Sequence, residues 1–223
     1  MSDDSFIREV DEELRSDRMQ NIWKRYGKLI IAIAIAIVVV TAGYRFWLSY
    51  SKGEAAKSGD VFLEAVELSN DGKHDDAIAM LEQLSKDGYG QYPALSQIRL
   101  AAEMAKAGKI DDAVAAYDAI ADDTSFDPTL RGVARLRSGL LLVDHGSFDD
   151  VASKLQQLSG AESNFRHSAR EGLGLSAWKH KQYSEAHRWF TTITEDATSP
   201  NGIRGRARIM LELLAGEGVD GKS

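Results

Sequence analysis

Gly108-Lys109-Ile110-Asp111-Asp112-Ala113 is one of four short stretches that share a pattern: a turn residue, a large side chain, an acid or serine, a second acid, then a small residue. The others are Gly72-Lys73-His74-Asp75-Asp76-Ala77, Gly146-Ser147-Phe148-Asp149-Asp150-Val151 and Lys181-Gln182-Tyr183-Ser184-Glu185-Ala186, at successive spacings of 36, 38 and 35 residues. Self-similarity at a period of about 34 residues reads as stacked helix pairs, because one pair alone cannot bury its apolar face.

Each position has a mechanical reason. Gly72, Gly108 and Gly146 suit the left-handed conformation that closes a helix, and Asp75, Asp111, Asp149 and Ser184 are expected to cap the next one. The second acid (Asp76, Asp112, Asp150, Glu185) falls in the first turn, where the helix dipole favours negative charge. Apolar residues follow at helical spacing: Leu81 and Leu84, Tyr117 and Ile120, Leu155 and Leu158, Phe190 and Ile193. The pattern predicts helix pairs at 54–71 with 75–86, 93–107 with 111–122, 128–145 with 149–158, and 163–180 with 184–194. A helix near 201–215 (Ile203, Ala207, Leu211, Leu214) caps the stack. Pro93, Pro128 and Pro200 all fall at helix starts, with Asp127 and Ser199 expected as N-caps.

These residues resemble the tetratricopeptide repeat. Its small first-helix position is met by Ala65, Ala101, Gly139 and Gly174, its turn glycine by Gly72, Gly108 and Gly146, and its second-helix alanine by Ala77, Ala113 and Ala186. Lys181, Val151 and His74 depart from the pattern. In such solenoids the exposed side of each first helix lines a concave groove. Projected onto this chain, that side holds Phe62, Val66, Ile98, Leu136, Leu140, Val143, Leu175 and Trp178. A groove this apolar implies recognition of unfolded or helical hydrophobic segments.

Ahead of the repeats lies a 16-residue uncharged run, residues 29–44 (LIIAIAIAIVVVTAGY), with Lys24, Arg25 and Lys28 before it and Arg45 and Lys52 after. Trp23, Tyr26, Tyr44, Phe46, Trp47 and Tyr50 form an aromatic belt at each margin. As helix, residues 26–50 span roughly 37 Å, enough to cross a hydrocarbon core of about 30 Å. The Ile-Ala alternation has a strand-like period, but a lone strand leaves its backbone unpaired in lipid, so helix wins. Because 28 residues precede the run, an uncleaved anchor is expected over a cleaved signal peptide. Arg15, Arg18, Lys24, Arg25 and Lys28 outnumber the basic residues after the span, which places the N-terminus in the cytoplasm and the bulk of the chain outside. Ala32 and Ala36 form a small-xxx-small pair suited to packing against another membrane helix.

The expected organisation is thus all-α: a cytoplasmic segment 1–24, an anchor 25–50, a tetratricopeptide-like solenoid of about four helix pairs plus a capping helix over 51–215, and a flexible tail 216–223. Residues 1–50 are charge-balanced, so the net −7 belongs to the remainder and disfavours nucleic acid. Cysteine is absent, which excludes disulfides and Cys-dependent metal or redox motifs.

The whole chain is similar to a narrower group, bacterial single-pass inner-membrane proteins with a periplasmic tetratricopeptide-like domain, such as the YfgM-type ancillary subunits of the Sec translocon. The stretch Phe6-Ile7-Arg8-Glu9-Val10-Asp11-Glu12-Glu13, the approach Trp23-Lys24-Arg25-Tyr26-Gly27 and the repeats carry that similarity. It implies a type II topology and contact with translocon subunits and periplasmic chaperones.

No catalytic, cofactor or metal site is expected. Gly172-Leu173-Gly174-Leu175-Ser176-Ala177 formally fits a dinucleotide fingerprint but lies inside a first-helix pattern without a preceding strand. The five histidines share no i, i+4 spacing, and neither a nucleophile elbow nor a phosphate loop occurs. Two function classes remain: a membrane-tethered scaffold recruiting clients or chaperones beside a translocation channel, and an envelope regulator or assembly factor. Neither needs a small-molecule substrate.

Overall fold

A computed structural model describes the backbone of residues 3–218 and the side chains of residues 23–218. Val219, the rest of the expected tail beyond it, and the side chains of the Phe6 to Glu13 stretch lie outside the described residues. The chain divides into two compact units, Met1–Glu54 and Ala55–Ser223.

The described part of the first unit is helix. It belongs to α1 (Asp3–Asn70), which continues past the expected break at residues 51–53 because one glycine and no proline stand there. A single helical glycine costs only about 1 kcal/mol, too little to stop a run this long. The apolar residues of the 29–44 stretch are exposed, and Thr41 satisfies its hydroxyl inside the helix by donating to the Ile37 carbonyl at 2.7 Å. The Trp23 ring lies over Gly27, and the Arg25 guanidinium sits 5.6 Å from the Tyr26 ring centroid.

The second unit begins with the last part of α1 and continues as α2 (His74–Asp87), α3 (Tyr92–Lys106), α4 (Ile110–Asp122), α5 (Pro128–His145), α6 (Phe148–Leu155), α7 (Arg166–Lys179), α8 (Tyr183–Glu195) and α9 (Asn201–Gly216). No strand occurs among the described residues. The expected helix at 149–158 ends earlier, in a 3-10 turn (Gln156–Leu158), and the one at 163–180 begins at Arg166 after a turn held by the Ser163 hydroxyl and carbonyl.

Three of the four turns within the helix pairs are built alike. Gly72 and Gly108 adopt φ of 79° and 77°, and Lys181 takes φ 60° at the same place in the fourth repeat. The next residue's N–H reaches back five residues, Lys73 to Leu68, Lys109 to Met104 and Gln182 to Ala177, at 2.8–2.9 Å. This closes the helix and leaves Lys73, Lys109 and Gln182 as N-caps of the helix that follows. The expected caps Asp75, Asp111 and Ser184 therefore sit inside the first turn: the closing motif already uses the capping position. Asp75 instead pairs with Lys109 at 2.8 Å.

The third turn differs. Gly146 is extended (φ −115°, ψ 179°), not left-handed, and the cap is Ser147, whose hydroxyl accepts from the Asp150 N–H while the Asp150 carboxylate accepts from the Ser147 N–H. This capping box replaces the role expected of Asp149. Asp127 caps α5 as expected, accepting from Thr129 N–H at 2.7 Å. Ser199 is buried and does not cap α9; its hydroxyl meets His167 Nδ1 at 3.0 Å.

Packing follows the repeat. The small positions Ala65, Ala101, Gly139 and Gly174 and their second-helix partners Ala77, Ala113, Val151 and Ala186 are all buried. A Cβ at Gly139 would overlap the Leu155 side chain, and one at Gly174 would lie 2.8 Å from Phe190 Cζ. The glycines let larger second-helix residues close onto the first helix. Each fully buried Leu or Phe is worth about 1.5–3 kcal/mol, which is why these contacts hold the pairs together.

Candidate protein-binding face

The first helices α3, α5 and α7 carry the residues predicted to face a partner. Leu136, Leu140 and Val143 line one side of α5. Leu136 and Val143 pack against the cluster of Val151, Leu155 and Leu173, while Leu140 remains 36% exposed. Leu140 and Val143 also meet α7 at Gly172, where a Cβ would come within 3.0 Å of Leu140 Cδ2. On α7, Leu175 packs against the cluster of Ala186, Phe190 and Ile193, and Trp178 is 41% exposed. Ile98 on α3 packs against the cluster of Ala101, Tyr117 and Ile120. Phe62 and Val66, on the part of α1 within the second unit, are half-buried, and Phe62 meets the Tyr92 ring at 6.1 Å between centroids, tilted by 53°. Ala32 and Ala36 lie exposed on α1 in the first unit.

Beside Leu140 opens a cavity of about 360 Å³, lined by Ala102, Ala105 and Lys106 of α3, Tyr117 of α4, and Arg137, Leu140, Leu141 and Asp144 of α5. Sequence reasoning passed over most of these because it sought large apolar side chains. The hollow exists because Ala102 and Ala105, three residues apart, present little volume towards Leu140 and Leu141. A pair of small residues at helical spacing opposite large ones was the available signal.

An ion network on one side and a cationic helix cap on the other flank this face. Glu103, with no exposed side-chain surface, receives Ser69 Oγ at 2.6 Å and Lys106 Nζ at 3.1 Å, with His74 Nδ1 at 3.2 Å and Arg99 Nε at 2.7 Å. Burial alone would raise the Glu103 pKa, but the donors of Ser69, Lys106 and His74 and the charge of Arg99 outweigh it and hold the carboxyl below its ordinary range. Lys106 on the cavity rim thus donates to both Glu103 and Ser69. On the other side, Lys179 of α7 donates to the Val143 and Asp144 carbonyls at 3.1 and 2.6 Å, capping α5 where the helix dipole favours a cation. Asp196 takes Arg170 at 2.9 Å, and Thr198 and Arg170 pull its carboxyl well below the usual range.

The rim is thus mixed: Lys106, Arg137 and Asp144 around an apolar floor. Such a site has the anatomy of a protein interface, a desolvated apolar centre inside a polar rim.

Comparison with known families gives one finding. The family described as "Tetratricopeptide repeat-like domain" matches residues 20–196. No curated protein matches the chain.

Proposed function

We infer the function of this chain from one premise: it belongs to the tetratricopeptide repeat-like domain family. The fold is that of a protein–protein interaction scaffold, and the observation that carries the finer reading is the exposure of Leu140 at the apolar cavity, with Trp178 exposed on the next first helix. On this reading the groove side engages hydrophobic segments of partner proteins, helical or unfolded, and the Lys106, Arg137 and Asp144 rim orients them.

The long apolar helix of the first unit serves as the anchor. With basic residues concentrated before the span, residues 1–24 are cytoplasmic and the repeat unit lies across the membrane, in a bacterial periplasm. The similarity to translocon-associated proteins supports a place beside the Sec channel, where emerging segments are apolar and unfolded, and work alongside periplasmic chaperones. Ala32 and Ala36 are the positions at which a channel helix would approach the anchor.

The test is a titration of the full chain in nanodiscs with a synthetic amphipathic apolar peptide, followed by Trp178 fluorescence in a chain whose other tryptophans are replaced by phenylalanine. A saturable shift that Leu140→Asp weakens about tenfold or more, with helicity unchanged, supports the reading. No shift removes the groove, and loss of the fold on Leu140→Asp places Leu140 in the core and removes it likewise.

A further inference from the structure

Helix α9 shows an apolar face that nothing among the described residues covers. Inward, Ala207 and Leu214 are buried and Ile203, Met210 and Leu211 pack around them against the α8 cluster. Outward, Ile209 and Leu213 stand 58% and 51% exposed. At about 100° per residue they share a stripe with Gly202, Gly205 and Gly216.

The charges of α9 run against its own dipole. Arg204, Arg206 and Arg208 lie in the first half and Glu212 and Glu217 at the far end, whereas the dipole favours acids first and bases last. Arg204 binds the carbonyls of Ala197 and Ser199, and Arg206 binds Glu171 at 2.6 and 2.9 Å. Arg208 and Glu212 have neither a hydrogen bond nor an ion pair among the described residues. Both lie on the same flank of the Ile209–Leu213 stripe. The arrangement does nothing for the helix alone, and it is self-complementary when the helix is reversed.

We propose that this face seats a second copy of the chain, α9 packed antiparallel against α9 about a two-fold axis near Leu211. A two-fold interface requires that if one residue meets a second, the second meets the first. An axis level with the midpoint between Met210 and Leu211 sets Gly205 opposite the partner's Gly216, where the missing Cβ atoms allow the axes to approach, and brings Ile209 and Arg208 each within one residue of the level of the partner's Leu213 and the partner's Glu212. A parallel pair would bring the three arginines together instead. The surface lies on a different helix from the groove side, so dimerisation leaves the groove open.

The experiment is sedimentation of the full chain in detergent micelles, with three charge variants. The unmodified chain sediments as a dimer. Arg208→Glu alone, or Glu212→Arg alone, sets like charges opposite each other twice and weakens the dimer about tenfold or more. The double variant Arg208→Glu with Glu212→Arg restores it. Both residues are exposed, so helicity serves as a folding control. Because the chain has no cysteine, one tagged copy carrying Ile209→Cys and another carrying Leu213→Cys form a mixed disulfide when co-expressed. A monomer, a dimer indifferent to the single charge reversals, or a double variant that stays weak each overturns the proposal; a dimer held by the membrane helix would be indifferent in this way.

Discussion

Replacing Lys181 by glycine should stabilise the chain. Lys181 holds φ 60° at the turn where two other repeats carry glycine, and its side chain is exposed without a hydrogen bond or ion pair among the described residues. An L-residue in the left-handed region costs about 1–2 kcal/mol. Against this, glycine gives the unfolded chain extra freedom worth roughly 0.4–1 kcal/mol. The balance is a gain of about 0.5–1 kcal/mol, or roughly 2–3 °C in Tm for a chain of this size. Thermal unfolding of the full chain in detergent, followed by circular dichroism, reads the shift. Hydrogen exchange at the Gln182 N–H, bonded to the Ala177 carbonyl at 2.8 Å, localises it to the fourth turn. The reciprocal control is Gly108→Ala, at φ 77° with open space around it, which should destabilise by about 1 kcal/mol. If Lys181→Gly lowers Tm, the lysine side chain contributes more than its backbone strain costs, and the account of the turn fails.

Two further perturbations probe the packing and the buried charge. Gly174→Ala places a Cβ 2.8 Å from Phe190 Cζ; overpacking should cost about 1–3 kcal/mol in urea denaturation despite alanine's better helix propensity, and a neutral result would show that the α7 to α8 contact is loose. Glu103→Gln should cost about 2–3 kcal/mol at neutral pH. Because the folded Glu103 carboxyl titrates below its ordinary 4.5, its contribution is full above that pH and is lost as pH falls through the depressed folded value, so the variant should show a flatter acid limb. An unchanged acid limb would remove Glu103 as the cause.

Periodicity made the repeat unit legible. Alanine and glycine at fixed offsets, with apolar residues three and four apart, specify which faces meet, and those positions are buried. The ends of helices were less legible. The capping role expected of Asp75 and Asp111 passed to Lys73 and Lys109, because a left-handed closing residue carries the chain straight into the next helix and spacing alone does not reveal that the turn is so short. Gly146 looked like the other turn glycines, but Ser147 and Asp150 form a reciprocal cap that suits an extended backbone. The cavity escaped notice for a different reason. It is made by what Ala102 and Ala105 lack, and a search for large side chains does not find a hollow. The Glu103 network was equally hidden, since its partners Ser69 and His74 lie 34 and 29 residues away in sequence.

The central claim is that the first-helix face around Leu140 binds apolar segments of other proteins. It is tested most directly by placing a photocrosslinking amino acid at Leu140, at Trp178, and at the exposed second-helix residue Ala119 in the full membrane-embedded chain, then presenting a defined, labelled apolar segment. Crosslinks from positions 140 and 178, competed away by unlabelled segment and absent from 119, are the predicted result. Equal labelling at all three positions, or none at 140 and 178, would contradict it.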